Sequence, residues 1–294
     1  MISSPRSNEG SPFRLSLADV TVRFGETLAF EDVTLAAEPG ERLAIIGASG
    51  AGKSTLFRAL TRTVALTGGK IALGEHNLYA LSKKELKCVR RRVGTIYQAY
   101  NLVPQLPAGV NVALGEVGVM GNVEALRTFF GGLDRTLAGR IEAALERVGL
   151  AGLAHQRTAD LSGGQQQRVA VARLLVQRPD LVLADEPFAA IDPVTTERVI
   201  GALLELNGEG ATFVVNLHNV QIARRFPRIV ALREGRLVFD GSPEKLTDEI
   251  LYRIYAGDAY GAGASPVELP PEDTLHGGQD PVRTLEGQDG ISAH

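Results

Sequence analysis

A chain of 294 residues can bury one large core, or one core with a smaller lobe, and its 44% hydrophobic and 22% charged content is ordinary for a globular protein. A net charge of −3 gives no overall field for nucleic acid or an anionic membrane surface. One cysteine, Cys88, excludes an intrachain disulfide and a cysteine-rich metal site, the five histidines (His76, His155, His218, His276, His294) lack ligand spacing, and no apolar run of about 18 residues is present, so a cytoplasmic chain that does not span a membrane is expected.

Residues 1–12 are polar and read as a disordered leader. Leu15, Leu17, Val20, Val22 and Phe24 alternate as strands do, and Leu43 to Ile46 is a short apolar run of the buried-strand kind, ending at Gly47. A helix carrying Leu56, Phe57 and Leu60 is expected after Lys53. The basic run Lys83, Lys84, Lys87, Arg90, Arg91 and Arg92 follows Ser82 and reads as a solvated helical face. Val93 to Tyr97 is strand-like and leads to Gln98.

From about residue 99 to 178 the pattern is helical, with Ile141, Ala144, Leu145 and Val148, then Val171, Leu174 and Leu175 before Pro179, as expected of a helical lobe set into an α/β core. Strand runs return at Leu181–Ala184, Phe213–Val215 and Ile229–Leu232, with a helix through Val199, Leu203 and Leu206 between the first two. Buried strands alternating with helices predict a mostly parallel sheet covered on both faces. Arg233 to Arg236 reads as a hairpin turn, and Thr247, Asp248 and Glu249 as the start of a final helix with Ile250, Leu251 and Ile254. Residues 259–294 are rich in Gly, Pro and acids and are expected to be disordered. No internal repeat is evident.

Gly47-Ala48-Ser49-Gly50-Ala51-Gly52-Lys53-Ser54, followed by Thr55, fits the phosphate-binding pattern G-x-x-x-x-G-K-[ST] between a strand and a helix. Its glycines let backbone N–H groups curl around a β-phosphate, Lys53 reaches the β/γ oxygens, and Ser54 offers a hydroxyl to Mg²⁺. Asp185 and Glu186 end an apolar strand, at the crevice where α/β sheets bind ligands. There the first acid suits Mg²⁺, and the second suits a water attacking the γ-phosphate. His218 ends another core strand at the same edge, and Gln98, at the junction with the helical lobe, is placed to bond Mg²⁺ or that water. Leu161-Ser162-Gly163-Gly164-Gln165 is a second glycine-rich turn opening a helix, a phosphate site that one nucleotide in one chain does not need.

Together and in this order, these residues resemble the ATP-binding cassette (ABC) ATPases over roughly residues 13–257. By that resemblance Gly47–Ser54 is the Walker A loop, Gln98 the Q-loop glutamine, Leu161–Gln165 the family signature, Asp185 and Glu186 the Walker B acids, and His218 the switch histidine. Phe24 is similar to the aromatic residue that stacks on adenine. Ala189-Ala190-Ile191-Asp192 resembles the D-loop, keeping Asp192 but lacking the usual first serine. What the resemblance implies is a P-loop α/β fold with an antiparallel β subdomain, the ATPase domain spanning 13–258. It also implies a homodimer in which each signature completes the partner's ATP site.

Further stretches are similar to the import ATPases for phosphonates: Asn101-Leu102-Val103, Gln166-Gln167-Arg168, Val215-Asn216-Leu217-His218, Val238–Pro243, Leu246–Ile250, and the lengthened lobe around Leu126–Gly131. That similarity implies an ATP- and Mg²⁺-dependent motor at the cytoplasmic face of the cell membrane. Its partners would be permease subunits, gripped near Tyr100, Leu102 and Val103, and indirectly a periplasmic or extracellular solute-binding protein. Nucleic-acid ATPases with these motifs carry long coiled coils or zinc modules, for which the space between Gln98 and Leu161 is too short. An importer of another solute, or a cassette module in phosphonate breakdown, stays open.

Overall fold

The computed structural model describes residues 13–97, 100–117, 135–189 and 191–255. Compactness divides the chain into two units, Met1–Ala256 and Gly257–His294, and all that follows belongs to the first. The leader, the 259–294 tail, Gln98, Ala190 and the lengthened lobe at 126–131 lie outside the described residues.

Among the described residues ten strands form two sheets. The first is antiparallel, with order β2-β1-β4-β5: β1 (Leu15–Phe24), β2 (Thr27–Ala37), β4 (Gly68–Leu73) and β5 (His76–Asn77). The second has order β10-β9-β3-β8-β7-β6, from β3 (Arg42–Ile46), β6 (Val93–Ile96), β7 (Leu181–Asp185), β8 (Thr212–Asn216), β9 (Arg228–Arg233) and β10 (Arg236–Gly241). All its pairings are parallel except the β9–β10 hairpin, whose tight turn permits only an antiparallel return.

Side chains alternate across a strand, so one parallel sheet feeds two apolar clusters. Leu43, Ile45, Leu183, Val214 and Val230 face the antiparallel sheet and α1 (Lys53–Leu60), meeting Leu15, Leu17, Phe30, Leu56 and Leu60. Ala44, Ile46, Val182, Ala184 and Val215 face the other way. They meet helices α3 (Ala108–Val117), α4 (Arg135–Arg147), α5 (Gly163–Gln177) and α6 (Pro193–Gly208) through Val112, Ile141, Leu145, Leu174, Val199 and Leu203. The expected helical stretch thus shares the core of the sheet rather than owning a separate one. Two shorter helices, α7 (Val220–Ala223) and α8 (Asp248–Tyr255), close the unit, and Thr247 caps α8 by accepting from Ile250 N–H.

The basic run forms α2 (Lys83–Arg91), with a capping box between Ser82 and Glu85. Lys83, Lys84 and Lys87 are solvated as expected. Arg92, just beyond, departs from that reading: it pairs with the buried Asp180 and lies 3.9 Å over the Phe13 ring.

The β9–β10 turn stitches the sheets together. Gly235 N–H donates to Ala51 O at 3.2 Å, and Gly235 O accepts from Glu31 N–H at 2.9 Å. Its φ is +75°, and a Cβ there would stand 2.8 Å from Phe30 Cα, so only glycine fits without displacement. Arg228 reinforces the seam, donating to Ala36 O and Glu41 at 2.8 and 2.9 Å while paired with Asp240.

Candidate functional site

The C-terminal ends of β3, β7 and β8 converge on the loop Gly47–Gly52, and α1 begins at Lys53 with Gly52 in a left-handed conformation as its N-cap. No side chain caps that helix start, so its first N–H groups are available to an anion. At the loop's entry, Gly47 has φ +152° and passes so near β9 that a Cβ would stand 2.2 Å from Leu232 O. That close approach is why the strand can turn so sharply into the loop.

Lys53 is folded inward. Its Nζ donates to Gly47 O at 2.7 Å and Ala48 O at 3.0 Å, and the residue is 4% exposed. Burial pushes its pKa down, against the pull of the Glu186 and Asp185 carboxylates. An open cleft of about 840 Å³ is lined by Phe24, Ala29, Ser49, Lys53, Thr55 and His218, among others, and also by Ser54. Phe24, at the end of β1, is 50% exposed, although the rest of its alternating pattern is buried. Phe24 therefore lines the cleft instead of joining the core that its alternating pattern suggests.

The acids are held by neighbouring strands. Asp185 ends β7 opposite Asn216 on β8, and Asn216 Nδ2 donates to Asp185 Oδ1. Asn216 is fully buried, and among the described residues its own Oδ1 has no hydrogen-bond partner. Glu186 follows with φ +54°, uncommon for a residue with a side chain, its N–H donating to Asn216 O at 3.1 Å. His218 Nε2 lies 2.7 Å from Glu186 Oε1; the histidine side chain is 48% exposed and the glutamate 15%. Ser54 and Asp185 are hard oxygen donors, while no cluster of three or more His, Cys, Asp or Glu is poised for a metal among the described residues. This donor set fits Mg²⁺, which commonly takes one or two protein oxygens and fills its shell with phosphate and water.

The second glycine turn stands at the start of α5. Ser162 is the N-cap: its Oγ accepts from Gln165 N–H at 3.3 Å, and Gln165 Oε1 accepts from Ser162 N–H at 2.8 Å. Leu161 is buried as an anchor, while Ser162 and Gly163 are exposed, so the turn faces outward from its own chain. Asp192 caps α6 by accepting from Thr195 N–H at 2.9 Å, and its pKa is lowered by hydrogen bonding to Thr195, from the side chain first and then the backbone. Downstream of Gln98, Tyr100 and Asn101 both have left-handed φ, and Arg173 on α5 donates to their carbonyls at 3.4 and 2.9 Å. Of the residues expected to face a permease, Val103 is exposed, but Leu102 packs partly against the core.

The ABC transporter family model matches residues 30–189, from within β2 to just past Asp185 and Glu186. The chain belongs to the ABC transporter family. ATP binding comes with that membership. Among relatives of this ABC chain, the phosphonates import ATP-binding protein of Bradyrhizobium diazoefficiens is 42% identical over 87% of this chain and 95% of its own length. Its counterpart in Rhizobium johnstonii is 43% identical over 84% and 88%. A solved structure, the dimeric ATP-binding cassette MJ0796 in a post-hydrolysis state bound to ADP and Pi, superposes with TM-score 0.68 at 32% identity, covering 78% of this chain and 98% of that one. No described helix of this ABC protein is long and apolar enough to cross a membrane.

Sequence reading missed three residues of the site. Asn216 orients Asp185, Gln167 on α5 donates to Glu186 O at 2.9 Å, and Arg173 holds the segment after Gln98. Gln167 alone left a sequence signal: it is a polar residue on the apolar Val171–Leu174 stripe of a helix.

Proposed function

We propose that this chain is the ATP-hydrolysing subunit of an ABC import system that takes up phosphonates or related organophosphorus anions through a membrane permease. The observation that carries the solute class is the 42% identity, across 87% of the chain, to a relative named as a phosphonates import ATP-binding protein. None of the site residues touches the transported solute in this reading, so the similarity of the whole chain has to supply the substrate.

The geometry supports a division of labour among the residues. Phe24 stacks on the base, the N–H groups of Gly47 to Thr55 cradle the phosphates, and Lys53 leaves the loop carbonyls for the β/γ oxygens. Ser54 and Asp185, with Gln98, would hold Mg²⁺, whose contribution when bound is to neutralise charge on the phosphate oxygens. Glu186 orients and deprotonates the attacking water, and His218 steadies that carboxylate and the γ-phosphate.

Ser162 and Gly163 are exposed at the start of α5, and Ser162 to Gln165 suit the γ-phosphate of a partner copy, offering N–H groups and the positive end of the helix. Two copies would then enclose two ATP molecules, with Asp192 at their seam, and hydrolysis would release them from one another. The exposed face near Tyr100 and Val103 is where permease subunits would be gripped at the cytoplasmic side of the membrane, the solute-binding protein acting through the permease. The domain assigned to this work is 13–258, with the helical subdomain at about 99–178.

Uptake tests the reading. A strain lacking this protein should lose uptake of a phosphonate while keeping that of phosphate. The wild-type chain should restore it and Glu186→Gln should not. Intact phosphonate uptake in the deletion strain, with another solute lost, would reassign the importer.

A further inference from the structure

The amide of Gln167 reaches the residue on which the proposed hydrolysis turns without entering the cleft. Gln167 lies in the second turn of α5 and is 1% exposed. Its Nε2 donates to the backbone carbonyl of Glu186 at 2.9 Å. Glu186 occupies a left-handed conformation that side-chain-bearing residues rarely adopt, so its surroundings must hold it there. From one side β8 does so, through the Glu186 N–H and Asn216 O. The next residue, Pro187, has no N–H to offer, which leaves the Glu186 carbonyl as the handle on the other side. Ala189 N–H reaches that carbonyl at a longer 3.3 Å.

The same helix opens at Ser162. Five residues, about 7.5 Å of helical rise, separate that N-cap from Gln167. We propose that Gln167 is a positioning residue that ties the backbone of Glu186 to the signature helix, so that contact of Ser162–Gln165 with the partner's nucleotide is felt at this chain's own water-activating carboxylate. The inference rests on the reading of Glu186 as that base. It supplies a direct covalent-and-hydrogen-bonded route between the two ATP sites of a dimer, through one helix and one amide.

Gln167→Met keeps the length and apolar fit of the side chain but removes the donor. In the full chain, kcat for ATP hydrolysis should fall about tenfold, equivalent to about 1.4 kcal/mol, with KM for ATP unchanged within about twofold. Gln167→Glu gives a second readout, because a buried carboxyl donates to a carbonyl only when protonated. Its kcat relative to wild type should rise as pH falls. Wild-type kcat in Gln167→Met, a rise in KM alone, or a pH-independent ratio for Gln167→Glu overturns the proposal. Should Gln167→Met not fold, the Gln167→Glu ratio decides. Glu186→Gln run in parallel separates the failures. If it keeps wild-type turnover, the reading of Glu186 falls and takes this inference with it. If it is inactive while Gln167→Met is fully active, only the inference falls.

Discussion

His218 Nε2 stands 2.7 Å from Glu186 Oε1, joining two residues that lie just beyond the ends of adjacent parallel strands. The strands' register brings them together: Asp185 pairs with Asn216, so the residues that follow emerge side by side at the cleft. Half-exposed, His218 can follow a reacting group, while the more buried Glu186 keeps its backbone pinned.

Glu186→Gln preserves a partner for His218 but removes the base. Turnover of ATP should fall on the order of 10²-fold or more, the contribution of a positioned general base. Size-exclusion chromatography with ATP should show an accumulating dimer, and near-normal turnover would remove Glu186 from this role.

Lys53→Met tests the buried ammonium. Its pKa is lowered from 10.5, so the folded chain binds this proton less tightly than the unfolded one, and charged Lys53 subtracts from stability at neutral pH. Without nucleotide, the variant should melt at the wild-type temperature or above. ATP at 100 times its Kd stabilises wild type by about 2.7 kcal/mol, and thermal melts of the variant should show none of that gain.

Asn216→Asp would replace the donor to Asp185 with a second carboxylate. One carboxyl of the pair then has a folded pKa above its unfolded value of about 3.9. In that window the folded state holds more protons, so stability falls as pH rises. Denaturant melts should show a deficit of roughly 1–3 kcal/mol at pH 7.5 that narrows toward pH 5. A deficit constant with pH would point to packing instead.

Mixing two inactive variants tests whether sites are shared. Lys53→Ala chains keep the Ser162 turn, and Ser162→Arg chains keep the phosphate loop. Each alone should lack ATPase activity, while the mixture should regain part of it through heterodimers that hold one complete site. No recovery at any ratio would count against a site built from two chains.

Much of this site is legible from local sequence, because a phosphate loop states its chemistry within eight residues. Gly47 to Ser54 must stand between a strand and a helix, and the apolar run ending in Asp185 and Glu186 must face the same edge. Leu43 to Ile46 and Leu181 to Ala184 announce buried parallel strands by being apolar throughout. The supporting residues are hidden for a physical reason. Asn216 and Gln167 act through contacts 31 and 19 residues away in sequence, which no period of 2 or 3.6 encodes. Arg92 was misread for the same reason: its place in a basic run says nothing of Asp180, 88 residues on.

Gly235 has a bearing on how independently the two walls of the cleft can move. One of its backbone bonds belongs to the sheet that carries Phe24, the other to the loop that leads to Lys53. A side chain at 235 would press on Phe30 and Ala29, and so would disturb both walls from a turn that lines neither.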